Sequence, residues 1–288
     1  MKITVLLENA TTSDRFCSKH GLSMFIETDA GRILFDMGPD ASFIDNARAL
    51  GVDVTSADFA ILSHGHYDHG GGLRAFIEET EAVGRKVPIY AHERAFESHC
   101  ANTPIGLKDI GVDPTLLDEY RDRFILTGDS LEVAEGLDLF ASVEPVELAP
   151  RSNKVLLERV DGAVEKSESL DDYTPDAFEH EQTLLIREGD RVTLVTGCSH
   201  CGIVNIMKKA EALIVGPLHA VVAGFHLMNP SSGEVEDPET VKAVAQFMAE
   251  RPTRYFTFHC TGLNAYSLLR DTLGERVNYL YTSSRIEL

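Results

Sequence analysis

Apolar residues recur along the chain in short runs broken by Gly, Asp and Asn, as strands closed by turns do. Residues 3–7 predict a strand, and residues 22–28 and 32–35 predict a hairpin around Asp29-Ala30-Gly31. Phe43, Ile44, Ala47 and Leu50 follow at helical spacing, with Gly51 as the stop. Residues 59–62 are apolar throughout and predict a strand covered on both faces. Beyond Gly70-Gly71-Gly72, which reads as a close backbone approach, the spacing predicts a helix over 73–82 and a strand over 87–91. From about residue 95 to 180 the pattern weakens, with Pro104, Gly106, Gly111 and Pro114 interrupting it, and a less regular insertion is expected there. Strands resume at 182–186 and 192–196, followed by helix 203–213, strand 220–223, helix 241–249, strand 255–258, helix 265–273 and strand 277–281. Two β-rich halves, each carrying helices, predict an α/β fold of two sheets covered outside by helices, spanning residues 1–288 as one domain.

Charge narrows the partners. The chain of 288 residues has 26 Lys plus Arg against 46 Asp plus Glu, a formal −20 at pH 7. So acidic a surface repels phosphate backbones and anionic headgroups, so neither a nucleic acid nor a membrane surface is expected as partner. No run approaches the ~20 apolar residues that span a bilayer, and residues 1–9 lack the apolar core of a signal peptide. Five scattered Cys do not form a disulfide framework. The expectation is a cytoplasmic protein with a small-molecule substrate, compatible with a homo-oligomer.

The chemistry is concentrated in Ser63-His64-Gly65-His66-Tyr67-Asp68-His69, directly after the apolar strand. Imidazole nitrogen and carboxylate oxygen suit zinc first, with iron and manganese as alternatives, and one or two divalent ions are expected. One loop cannot enclose two metals, so further ligands are sought at later strand ends, where α/β proteins place binding groups. Three such ends carry His: Gly197-Cys198-Ser199-His200-Cys201, Gly224-Phe225-His226 and His259-Cys260-Thr261-Gly262. Cys198 and Cys201 also share a Cys-x-x-Cys spacing, which leaves open a redox or thiolate-metal reading. His92, His99 and His219, and the thiols of Cys17, Cys100 and Cys260, read as ordinary packing or surface groups.

His64-x-His66-x-Asp68-His69, with Phe35-Asp36-Met37-Gly38 upstream and His259 downstream, resembles the metallo-β-lactamase superfamily. With His20-Gly21-Leu22-Ser23, Gly197-Cys198-Ser199-His200, Gly224-Phe225-His226-Leu227 and His259-Cys260-Thr261-Gly262 added, it is similar to that family's dihydropterin-ribofuranosyl-aminobenzene phosphate synthase-like branch. The resemblance implies a four-layer αβ/βα sandwich with a one- or two-metal site at the sheet edge. It implies that His64 and His66 bind a first metal, that Asp68 and His69 bind a second, and that His259 is the late ligand. His200 is the expected further ligand, with His180 and Cys198 as alternatives, since the family's bridging Asp has no clear match. Asp36 is expected to support the metal loop, and His20 and Cys198 to support the ligands or touch substrate. Asp68 and His226 are the expected catalytic residues, Asp68 by orienting the nucleophile and His226 by contacting substrate or donating a proton. The function expected is hydrolysis of a small phosphoester-type substrate by metal-bound hydroxide. The alternatives are a pterin-phosphate synthase-like condensing or lyase step, and a non-catalytic metal or redox sensor. A flavin-linked reductase of the same superfamily usually carries Glu beside the paired His, where this chain has Gly65 and Tyr67.

Overall fold

A computed structural model describes residues 1–229 and 232–288. Two seven-stranded sheets form its centre. The first runs in the order Arg285–Glu287, Lys2–Leu7, Ser23–Thr28, Gly31–Phe35, Phe59–Ile61, Ile89–His92, Phe124–Thr127. The second runs Val277–Tyr279, Arg254–Thr257, Ala220–Ala223, Arg191–Val195, Thr183–Glu188, Leu137–Phe140, Ser130–Ala134.

Side-chain alternation along these strands explains the layering. In Gly31–Phe35, Ile33 and Phe35 face the other sheet, while Leu34 faces the helices Ser42–Leu50 and Leu73–Ala82. In Ala220–Ala223, Ala220 and Val222 face inward, while Val221 and Ala223 meet the helices Ile203–Leu213, Pro238–Ala249 and Leu263–Leu273. The buried apolar residues therefore fall into one cluster between the sheets and one beneath the helices on each side. Three apolar interfaces separate four layers, the αβ/βα sandwich that the sequence predicts.

The stretch 95–180 is more regular than its pattern suggests. It supplies the edge strand Phe124–Thr127 of the first sheet and the hairpin Ser130–Ala134 and Leu137–Phe140 of the second. It also builds a separate four-stranded sheet in the order Tyr173–Pro175, Leu156–Arg159, His99–Thr103, Gly106–Asp109. These strands are short, and Gly106–Asp109 is largely exposed, so no apolar periodicity marks them.

Strand direction positions the site. Gly31–Phe35, Phe59–Ile61 and Ile89–His92 are parallel, as are Arg191–Val195, Ala220–Ala223 and Arg254–Thr257. Asp36, the His64–His69 loop, Cys198, His200, His226 and His259 all follow the C-terminal ends of these strands, at one edge of the sandwich. Four of these turns pass through a left-handed non-glycine residue: Asp36 (φ 56°), Ser199 (60°), His226 (48°) and His259 (52°). Such backbone persists where its surroundings over-determine it, which is common at functional sites.

Candidate metal centre

The metal loop is anchored from behind. Asp36 accepts the Ser63 N–H at 2.7 Å, the Ser63 hydroxyl at 2.8 Å and the His69 Nδ1–H at 2.6 Å, all fully buried. The loop packs against backbone closely enough to require glycine: a methyl group at Gly72 would lie 2.1 Å from the Met37 carbonyl oxygen.

Outer partners fix the tautomer of each ring. Ser63 gives its proton to Asp36 and accepts from His64 Nδ1 at 2.9 Å. His69 Nδ1 faces Asp36, His200 Nδ1 lies 3.2 Å from Asn153 Oδ1, and His259 Nδ1 lies 2.7 Å from Asn9 Oδ1. The amide ends are set independently, because Asn153 Nδ2 donates to the His200 carbonyl and Asn9 Oδ1 also accepts the Gly21 N–H. Four imidazoles therefore turn Nε2 inward.

The inward atoms crowd together. His69 Nε2 and His259 Nε2 are 3.2 Å apart, and both approach Asp68 Oδ2, at 3.7 and 3.3 Å. His64 Nε2 takes the only proton that His66 Nδ1 offers, at 3.1 Å. Among the described residues, Nε2 of His66 and of His200 and both ring nitrogens of His226 are buried without a partner. Donor groups of two kinds gather within 4.8 Å: His64, Cys198 and His200 on one side, His69, Cys198 and His259 on the other. A further group joins His20, Asp68 and His259 within the same distance. Nitrogen, sulfur and carboxylate donors in this arrangement fit a divalent cation.

Protonation agrees with that fit. Burial first, then the neighbouring imidazoles, holds His64 well below the usual range, and burial does the same for His66 and His200. Burial also lowers His259, against the pull of Asp68. These rings are neutral, the form that ligates. His69 differs: burial disfavours its charge, but Asp36 and Asp68 overcome that and raise it to about 9. Burial and the adjacent Cys260 push the Cys198 thiol up.

The structure brings together His64, His66, Asp68, His69, Cys198, His200, His226 and His259. His20 stands at the rim, with Nε2 3.1 Å from Asp68 Oδ2, and Asp36 lies behind the loop. His180 does not reach the cavity. Its Nδ1 accepts the Gly65 N–H at 2.9 Å and its Nε2 faces Asp176 Oδ2 at 3.2 Å, so both nitrogens are engaged. His99 is not an ordinary packing residue, since it is buried with Nδ1 3.1 Å from the same Asp176 oxygen. Sequence reasoning missed Asn9, Asn153, Glu181 and Cys260. Glu181 accepts the backbone N–H groups of His200 and Cys201, at 2.6 and 2.9 Å, and Phe178 stacks on the His200 ring at 4.5 Å. Asn9 follows a strand end just as the histidines do, which is the signal that would have found it.

His20, His66, Asp68, His200, His226 and His259 line a cavity of about 270 Å³, which Tyr67, Ala101, Lys108, Ile110 and Leu156 complete.

The chain was compared with known proteins. Residues 19–224 match the family model of the metallo-beta-lactamase superfamily. A 7,8-dihydropterin-6-methyl-4-(beta-D-ribofuranosyl)-aminobenzene-5'-phosphate synthase of Methanocaldococcus jannaschii is 28% identical, covering 100% of this chain and 96% of that protein. The crystal structure of Tm1679, described as a metal-dependent hydrolase of the beta-lactamase superfamily, superposes with a TM-score of 0.78 at 24% identity, covering 100% of this chain and 99% of the other. Zn(2+)-bound PqqB from Methylobacterium extorquens has the same fold at a TM-score of 0.59 and 14% identity, with both chains covered completely. With the family model spanning most of its length, and with this fold, the chain belongs to the metallo-beta-lactamase superfamily.

Proposed function

We propose that this chain is a metal-dependent hydrolase of a small phosphoester-type substrate. The observation that supports this is the turn of the His64, His69, His200 and His259 Nε2 atoms away from their outer partners and toward one another, beside a cavity lined by Asp68, His200 and His259. In this reading His64, His66 and His200 hold one divalent ion, and Asp68, His69 and His259 hold a second. Cys198 Sγ lies within 4.8 Å of the donor atoms of His64 and His200 and of those of His69 and His259, and would be a further ligand to either ion. Zinc is the first choice, and the same donors accept iron or manganese. An ion held here supplies Lewis-acid polarisation of a substrate oxygen and a lowered pKa for water.

The chain's own groups do the rest. Asp68 Oδ2, in reach of the His20 Nε2–H, orients the attacking water. His226, buried with both ring nitrogens free, is placed to hold a phosphoryl oxygen or to deliver a proton to the leaving group. All five thiols are free, which fits a reducing, cytoplasmic setting.

A second reading, a pterin-phosphate condensing or lyase step at the same groups, draws on the full-length likeness to the Methanocaldococcus jannaschii synthase. Turnover of phosphomonoesters, phosphodiesters and lactones by metal-loaded and chelated protein separates the two. Metal-dependent phosphoester cleavage is expected. Full metal content with no turnover across the panel would reject the hydrolase reading and leave the second.

A further inference from the structure

We infer that the small four-stranded sheet gives this cavity a second binding station, a subsite for a phosphate or carboxylate carried on a flat apolar body, with Lys108 taking the charge. The inference rests on the cavity being a substrate site, as proposed above.

Register places the station. Leu156 pairs with Ala101, and Ala101 pairs with Lys108, so the three form one row across three adjacent strands. All three line the cavity. Strands are spaced about 4.8 Å apart, so the row spans roughly 10 Å, apolar for two positions and cationic at the third. Ala101, the smallest of the three, keeps the middle of the wall shallow.

The Lys108 ammonium lies over the Tyr67 ring, 5.4 Å from its centroid. A cation–π contact positions an ammonium without neutralising it. The contrast with Lys166 is direct, since that lysine is spent on Asp109 at 2.6 Å. Among the described residues Lys108 pairs with no carboxylate, and it is the one Lys or Arg of the cavity lining. On a chain of net charge −20, a local cation at the mouth offsets the long-range repulsion of an anion.

Backbone bonds hold this wall in register with the metal loop. Tyr67 N–H donates to the Ile110 carbonyl at 2.8 Å, Val112 N–H donates to the Gly65 carbonyl at 3.1 Å, and His66 pairs with Gly111. Lys108 stands two residues from Ile110, so its distance from the His66 and Asp68 donors is set by the fold. A ligand that spans the two stations has one group at those donors, a planar or apolar middle against Tyr67, Ala101 and Leu156, and an anion at Lys108.

Calorimetric titration of the metal-loaded full chain tests this. The probes are 4-phosphonobenzoate, with an anion at each end of a ring, and phenylphosphonate, which lacks the second. Wild type is expected to prefer the two-ended probe by about three- to tenfold. K108Q removes the preference, K108R keeps most of it, K108E reverses it, and A101F weakens both probes, with metal content equal to wild type in all four variants. Equal affinity in wild type, a preference that survives K108Q, or binding of neither probe with metal in place would each overturn the subsite. Phosphoester turnover measured on the same samples reports separately on the hydrolase reading: turnover without probe preference rejects only the subsite, and preference without turnover rejects only the hydrolase.

Discussion

The Asp36 carboxylate accepts the His69 Nδ1–H at 2.6 Å, and this bond aims His69 Nε2 at His259 and Cys198, each 3.2 Å away. Asp36 is not part of the cavity lining, yet it fixes the direction of His69 and carries Ser63 as well. In Asp36→Asn an amide N–H must face at least one donor that a carboxylate oxygen now accepts. Metal affinity is expected to fall about 10- to 100-fold, and stability by a few kcal/mol, about 3. Chelator competition and urea unfolding measure the two; wild-type affinity in Asp36→Asn would remove the support role.

His180 and His200 differ in what their ring nitrogens meet. His180 is engaged at both nitrogens behind Gly65, whereas His200 presents a free Nε2. His200→Ala is expected to lower the number of metal ions bound per chain. His180→Ala is expected to keep that number and weaken affinity by about tenfold, as loss of an outer partner does. The reverse pattern by elemental analysis would exchange the two assignments.

Gly65, between His64 and His66, faces the backbone of Ala95. A Cβ there would lie 2.3 Å from the Ala95 carbonyl oxygen, which is not the end of a flexible side chain. Gly65→Ala is therefore expected to cost about 2–3 kcal/mol in denaturant unfolding. A change under about 0.5 kcal/mol would show that the loop has room to move.

Glu8 couples the N-terminal strand to His259. Its carboxylate accepts from Ala10 N–H, His259 N–H and the Tyr279 hydroxyl, at 2.7, 3.1 and 3.2 Å. Burial outweighs these bonds and raises Glu8 from 4.5 to about 7. For an acid raised on folding, the stabilising contribution is complete below the unfolded value and is lost as pH rises through the folded one. The metal-free chain should thus lose up to about 3 kcal/mol between pH 4.5 and 7 on account of Glu8. Glu8→Gln is expected to flatten this slope in unfolding curves taken across that range; an unchanged slope would assign it elsewhere.

Much of this was legible in the sequence. The run Phe59-Ala-Ile-Leu62 announced a buried strand, and the histidines after it and after three later strands announced the centre, because strand ends converge in such folds. The small sheet was not legible, since its strands are short and in part exposed, and its central pair joins residues almost sixty positions apart, as His99 with Glu158. Nor were Asn9, Asn153 and Glu181, whose roles lie in hydrogen bonds that only the folded chain assembles. Cys198 was legible as a candidate but not as an atom reaching both ligand sets, which depends on two sheets meeting.

If these side chains hold metal, the metal content of each chain shows it without reference to any substrate. Purified wild type dialysed against zinc is expected to retain one to two equivalents by elemental analysis, while a His64→Ala, His66→Ala double variant that still folds loses at least one of them. Equal metal content in wild type and the folded double variant would contradict the account.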